Sequence, residues 1–172
     1  MRAPMQLRSI LILVSIAMTL SCSVGSKPAN HERTADEAAA LSAVQRFFDT
    51  MTSKDVAGAS AVLDPEGDFV SVRWNDDGKR VVRRASNRDY LDGLAAGAKT
   101  LLERMWDPDV QVHGPIATVR TPYDFHIDGV FSHCGVDVFQ LLQTEGGWII
   151  TGGTYTVERT GCPKSPLGPV GK

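Results

Sequence analysis

An α+β fold, helices first and an antiparallel sheet after them, is predicted by three features of this 172-residue chain. Apolar residues recur at helical spacing between residues 36 and 63 and again near 90. Alternating strand-like runs fill most of the chain from 101 to 159. Two turn signals, Asp128-Gly129 and Glu145-Gly146-Gly147, cut the later runs into hairpins.

The first 22 residues read as a targeting segment. Arg2 and Arg8 give a basic start, Ile10 to Leu20 is apolar, and Ser21, Cys22 and Ser23 are small. The apolar run of about 11 residues is short of the ~20 a spanning helix needs, and fits a signal-peptide core. Cys22 sits where an acylated lipoprotein cysteine would, although Thr19-Leu20-Ser21 matches the lipobox loosely; ordinary cleavage after Ser23 or Gly25 is the alternative. Residues 23–35 are polar and unpatterned, as a linker is. Loss of 1–22 removes two of 18 basic residues and none of the 20 acidic ones, taking the formal charge from −2 to −4. With no basic stripe, nucleic acid is not an expected partner, and a membrane is expected only through a lipid anchor.

The domain is expected over residues 36–160. Thr34 and Glu37 form a capping-box pattern, and Leu41, Val44, Phe48 and Met51 follow at helical spacing. A shorter helix is expected from Ser53 to Leu63, ahead of Pro65. Phe69–Trp74 and Arg80–Arg84 read as strands around the turn Asn75-Asp-Asp-Gly78. Ser86 or Asn87 can cap a third helix carrying Tyr90, Leu91 and Leu94. Leu101–Trp106 opens the run of strands. Residues 161–172, with three prolines, read as an irregular tail.

Helix, helix, hairpin, helix and meander, together with Phe47-Phe48, Tyr123, Ser132-His-Cys-Gly-Val-Asp-Val-Phe139, Gly147-Trp148, Gly152-Gly-Thr-Tyr155 and Cys162-Pro, resemble the nuclear transport factor 2-like superfamily, in its SnoaL-like and lumazine-binding branch of exported bacterial proteins. The resemblance spans roughly residues 36–168. It implies a cone-shaped fold, three N-terminal helices on a curved antiparallel sheet around a pocket. The superfamily is functionally mixed, so it implies no single activity.

Counting register from Asp128-Gly129 pairs Asp124 with His133 and Arg120 with Asp137; counting from the second turn places Glu158 opposite His133. One face then carries Arg120, Asp124, His126, His133, Asp137 and Glu158. The other carries Ala117, Val119, Tyr123, Phe125, Val136, Val138, Leu142, Ile149, Tyr155 and Val157. Burial favours the apolar face covering the helices, which puts the ionisable row outside the cone. The pocket would then be lined by Tyr123 and Tyr155, with Trp74 and Trp106 at its mouth, and suit a small apolar or aromatic molecule. The outer face would serve a homodimer, and a non-catalytic dimerisation module built on that face is one alternative reading of the whole domain.

The competing reading makes His133, Asp137 and Asp124 catalytic groups of an isomerase, hydratase or cyclase, since a carboxylate can orient an imidazole that works as a general base. A bulge at Gly152-Gly153 would invert side-chain parity beyond it. No spacing of His113, His126 and His133 suggests a metal site, and no phosphate loop or other cofactor motif occurs, so no cofactor is expected. Cys134 and Cys162 are expected to pair in an oxidising compartment, although the counted register leaves them roughly 16 Å apart along the strand unless the chain reverses near Gly161. Intact-mass measurement of the processed protein decides Cys22. A diacylglyceryl adduct on an N-terminal Cys22 is the lipidated outcome, and an N-terminus beyond Ser23 excludes it.

Overall fold

The computed structural model describes residues 32–170; the expected signal segment, Cys22 and residues 23–31 of the expected linker lie outside them. The described elements are α1 (Ala35–Ser53), α2 (Val56–Val62), β1 (Leu63–Trp74), β2 (Arg80–Ser86), α3 (Asn87–Ala96), β3 (Leu101–Met105), β4 (Asp109–His113), β5 (Ile116–Ile127), β6 (Val130–Thr144) and β7 (Gly147–Val157). Local chemistry accounts for the helix starts. Thr34 Oγ1 accepts from the Glu37 amide at 3.2 Å while the Glu37 carboxylate accepts from the Thr34 amide at 2.9 Å. Asp55 caps α2, and Ser86 with Asp89 forms a second capping box on α3. Each cap satisfies amides that the first turn of a helix leaves unpaired.

The strands form one open sheet in the order β2-β1-β7-β6-β5-β3, with β4 also on β5. It is mixed rather than wholly antiparallel. The β1 strand runs parallel to β7, with Phe69 beside Gly153 and Ser71 beside Tyr155. The early hairpin thus joins the far end of the meander, with α3 as the return connection. Expected boundaries shift modestly: α2 starts at Val56, β1 reaches back to Leu63, and β4 adds a strand to the meander. One face of α1 (Ala40, Val44, Phe47, Phe48, Met51) is buried in the core with Val119, Phe139, Leu141, Trp148 and Ile150 of the sheet. Phe47, Phe48, Phe69, Tyr90 and Phe139 make an aromatic cluster, with Phe47 stacked on Phe69 at 5.5 Å.

Register differs from the turn-based count at two places. Asp128 and Gly129 both have positive φ, and the turn pairs Ile127 with Val130 and His126 with Phe131, as counted. Ser132 is then an extra residue: Phe125 pairs with His133, Asp124 with Cys134 and Thr121 with Asp137. Such a bulge reverses every later side chain of the strand. The expected pairs Asp124–His133 and Arg120–Asp137 do not form. A second bulge, at Thr151 rather than Gly152-Gly153, separates Leu141–Ile150 from Gln140–Gly152. It reverses parity again, so Tyr155 keeps its counted face. Between the two bulges the faces are exchanged. Leu141, Trp148 and Ile150 are buried, and Leu142, expected on the core face, is 38% exposed.

Cys134 and Cys162 are disulfide-bonded, with Cα atoms 5.9 Å apart. After β7 only Glu158 still bridges Cys134, and the chain then turns back with Gly161 at φ +75°. That reversal closes the gap the straight-strand count left open. Residues 161–170 form no helix or strand. The covalent loop contributes about 3–4 kcal/mol in the chain-entropy account.

Gly135 shows how tightly the bulged strand is packed. Its missing side chain leaves room for Tyr123 to cross β6 and donate to Thr156 O at 2.7 Å. A Cβ there would lie 2.0 Å from Thr156 O and 2.7 Å from Tyr123 Cε1. Gly135→Ala should therefore lower stability by about 3 kcal/mol, the upper end of overpacking costs, in urea denaturation. An unchanged midpoint would contradict the close approach.

Candidate functional site

A cavity of about 210 Å3 opens between the helices and the inner sheet face. Its walls are mainly apolar: Phe47 and Met51 from α1, Phe69 from β1, Leu101 from β3, Phe125 from β5 and Phe139 from β6. Polar side chains among them include Glu103, Tyr123, His133, Asp137 and Tyr155. The Ser132 bulge places His133 and Asp137 here, since it turns the odd-numbered residues of β6 inward. Of the expected catalytic groups, two line the cavity and one does not.

Asp137 is 4% exposed, and its Oδ2 has no hydrogen-bond partner. The side chain beside it is Glu103, a second carboxyl. Burial pushes Asp137 up to about 7, and a hydrogen bond from Glu103 limits the rise. Burial also raises Glu103 well above the ordinary carboxylate range, reinforced by the charge of Asp137 and, less, of Asp124. Two carboxyls in an apolar wall cannot both ionise cheaply; a proton on Glu103 donated toward Asp137 is the arrangement these shifts describe.

The other polar groups are neutral. Burial raises the hydroxyls of Tyr90, Tyr123 and Tyr155 above their usual range. Burial lowers His133, helped by the charge of Arg159. The His133 ring stacks on Phe125 at 4.8 Å and meets Tyr123 edge-on at 5.7 Å, and its Nδ1 lies 3.0 Å from Ser132 Oγ. Tyr123 lines the cavity with its ring, but its hydroxyl is committed to Thr156 O. Tyr155 lies beside Asp137 in register, with Ser71 as the hydrogen-bonding neighbour of its hydroxyl.

Three expected site residues lie elsewhere. Asp124 is on the outer face, gripped by Arg104 through Nε at 2.8 Å and a terminal nitrogen at 2.6 Å, with His126 Nδ1 3.7 Å away. Trp74 is 66% exposed at the end of β1, paired with Arg80 of β2, and does not line the cavity. Trp106 is half-buried beyond β3, where its carbonyl accepts from Thr121 Oγ1 at 3.0 Å, and it does not line the cavity. Tyr90 and Phe69 line the cavity instead. The residue that sequence reading missed is Glu103. In Leu101-Leu-Glu-Arg-Met105 it shares a strand face with Leu101 and Met105, and a charge between two core-facing residues was the available signal. Among the described residues no group of three His, Cys, Asp or Glu side chains is placed to hold a metal ion.

No family model matches this sequence, and no curated protein does. Solved structures do. A conserved protein from Planctomyces limnophilus superposes with a TM-score of 0.60 at 15% identity, over 73% of this chain and 98% of its own. An NTF2-like protein from Cytophaga hutchinsonii gives 0.55 at 12% identity, over 68% and 93%. A protein of the NTF2-like family from Streptomyces avermitilis, provisionally named a dehydratase, gives 0.54 at 17%, over 71% and 95%. These similarities establish the fold.

The carboxyl pair makes stability depend on pH. A carboxyl whose folded pKa is raised stabilises the fold when protonated, fully below its unfolded value near 4, and that stability is lost as pH rises through the folded value, about 7 for Asp137. Asp137→Asn removes the ionisation. In urea denaturation the variant should gain at least about 1 kcal/mol over the native chain at pH 8 and little at pH 4. Equal differences at both pH values would contradict a buried pair.

Proposed function

We propose that this chain, which has the nuclear transport factor 2-like fold, is an exported small-ligand-binding domain of the cell envelope. The observation that carries this is the cavity of about 210 Å3, apolar in its walls, with Glu103 and Asp137 converging in it. Such a combination gives burial for a hydrocarbon body and orientation for one polar group. For scale, an apolar cavity of about 150 Å3 takes up benzene. The volume therefore suits a single ring bearing a short substituent. Export rests on the basic and apolar start of the sequence, and the Cys134–Cys162 disulfide supports it, because such bonds persist in oxidising compartments. Among the described residues no helix is long and apolar enough to cross a membrane. The reading gives the outer sheet face, where Arg120, Thr154 and Thr156 are exposed, to a second copy.

The same pair favours one second reading, an isomerase, hydratase or cyclase that moves a proton within the cavity. A carboxyl titrating at about 7 is matched to that work near neutral pH. His133, neutral and stacked on Phe125, is a further proton acceptor in reach of the cavity. Asp124, held by Arg104 outside, has no part in it.

Native mass spectrometry of the protein purified from its own compartment tests the primary reading. A retained molecule of single-ring size, released on denaturation, is the expected result. An unliganded mass, with no thermal stabilisation by any member of a small aromatic library, would overturn it. Asp137→Asn separates the second reading: an enzyme loses turnover in the variant while keeping its ligand.

A further inference from the structure

The polar end of the cavity is one-sided in charge. Among the described residues lining it, Glu103 and Asp137 are the only carboxylic acids and none is lysine or arginine. Burial holds Tyr90, Tyr123 and Tyr155 neutral and keeps the His133 imidazole uncharged. The further charges that act on these groups are Asp124 and Glu158, both negative, and Arg159, which acts on His133. An anionic ligand would bring a like charge against the two carboxyls with no cation to offset it. A cation meets the opposite situation.

We propose that the cavity selects a small apolar or aromatic amine, its ammonium held between Glu103 and Asp137 and its hydrocarbon part against Phe47, Phe69 and Phe125. This rests on the small-ligand reading above and names the chemical class of the ligand. Asp137 supplies the geometric reason: a side chain 4% exposed, with Oδ2 lacking any hydrogen-bond donor in the protein. An ammonium provides three donors and a full charge, enough to satisfy that oxygen and reach Glu103 as well. Phe47 stacks on Phe69 at 5.5 Å and Phe125 stacks on His133, so the wall offered to the hydrocarbon part is aromatic. Binding needs one ionised carboxylate in the pair. With Glu103 keeping its proton, that carboxylate is Asp137, and affinity should rise with pH as Asp137 ionises.

Isothermal titration calorimetry on the full-length protein with benzylamine, benzyl alcohol and benzoate tests this. These probes share a ring and a one-carbon arm and differ in charge. At pH 8 benzylamine should bind at least about tenfold tighter than benzyl alcohol, and benzoate should not bind. Between pH 6 and 8 benzylamine affinity should rise about tenfold, as expected for an acid titrating near 7, while the alcohol stays level. Asp137→Asn should abolish the preference for the amine and leave alcohol binding intact. Should that variant not fold, the native protein's preference among the three probes decides alone. Benzyl alcohol or benzoate binding as tightly as the amine would overturn the proposal and leave the small-ligand reading standing. No binding by any of the three at millimolar concentration, with no stabilisation by a wider aromatic library, would overturn both.

Discussion

The site depends on one extra residue in one strand. Without Ser132 as a bulge, the Asp128-Gly129 turn would put His133 and Asp137 on the outer face with Asp124 and His126. With it, β6 reverses and delivers an imidazole and a carboxyl into the cavity. The cost is local, one interruption of the β5–β6 ladder, and the strands remain paired on both sides of it. A second bulge at Thr151 returns Tyr155 to the inner face, where it is the register neighbour of Asp137. The polar end of the cavity is thus assembled by two parity reversals in neighbouring strands. Gly135 then leaves room for Tyr123 to span the strand between them and fix its hydroxyl on Thr156 O.

Asp124 and Asp137 show how environment separates two identical side chains. Asp124 faces outward and receives two charge-assisted hydrogen bonds from Arg104. Asp137 faces inward and has for a neighbour another carboxyl, with one oxygen unpartnered. A protein under pressure for stability alone would fill that wall with apolar side chains, because a buried unsatisfied polar group costs about 1–3 kcal/mol. Arrangements of this kind concentrate at functional sites. In this chain the unpartnered Asp137 oxygen sits in an aromatic-walled cavity, not in a random part of the core.

Much of the fold was legible in the sequence because its signals are local. Thr34 with Glu37, Ser86 ahead of Asn87 and the Asp128-Gly129 turn each specify backbone hydrogen bonds within a few residues, and each forms. The Cys134–Cys162 pairing was legible from the scarcity of other thiols. The parallel contact of β1 with β7 was not, since it joins residues some 80 positions apart through side chains that any strand could carry. Nor were the bulges. An additional serine or threonine leaves no mark in composition or alternation, yet it decides which face each later residue takes. Reading the faces from turns alone therefore kept Tyr123, Phe125 and Tyr155 in place, misplaced His133 and Asp137, and passed over Glu103. Trp74 and Trp106 were expected at the mouth; they stand at the end of β1 and just after β3, and neither lines the cavity.

The Ser132 bulge buries Asp137 against Glu103 as a proton-sharing pair. Carbon-13 NMR titration of the aspartate side-chain carboxyls measures it directly. The expected Asp137 midpoint is about 7, shifted when Glu103 is replaced by Gln. An Asp137 midpoint in the ordinary range near 4, indifferent to Glu103→Gln, would mean that the side chain faces water and that the bulge does not do what is claimed for it.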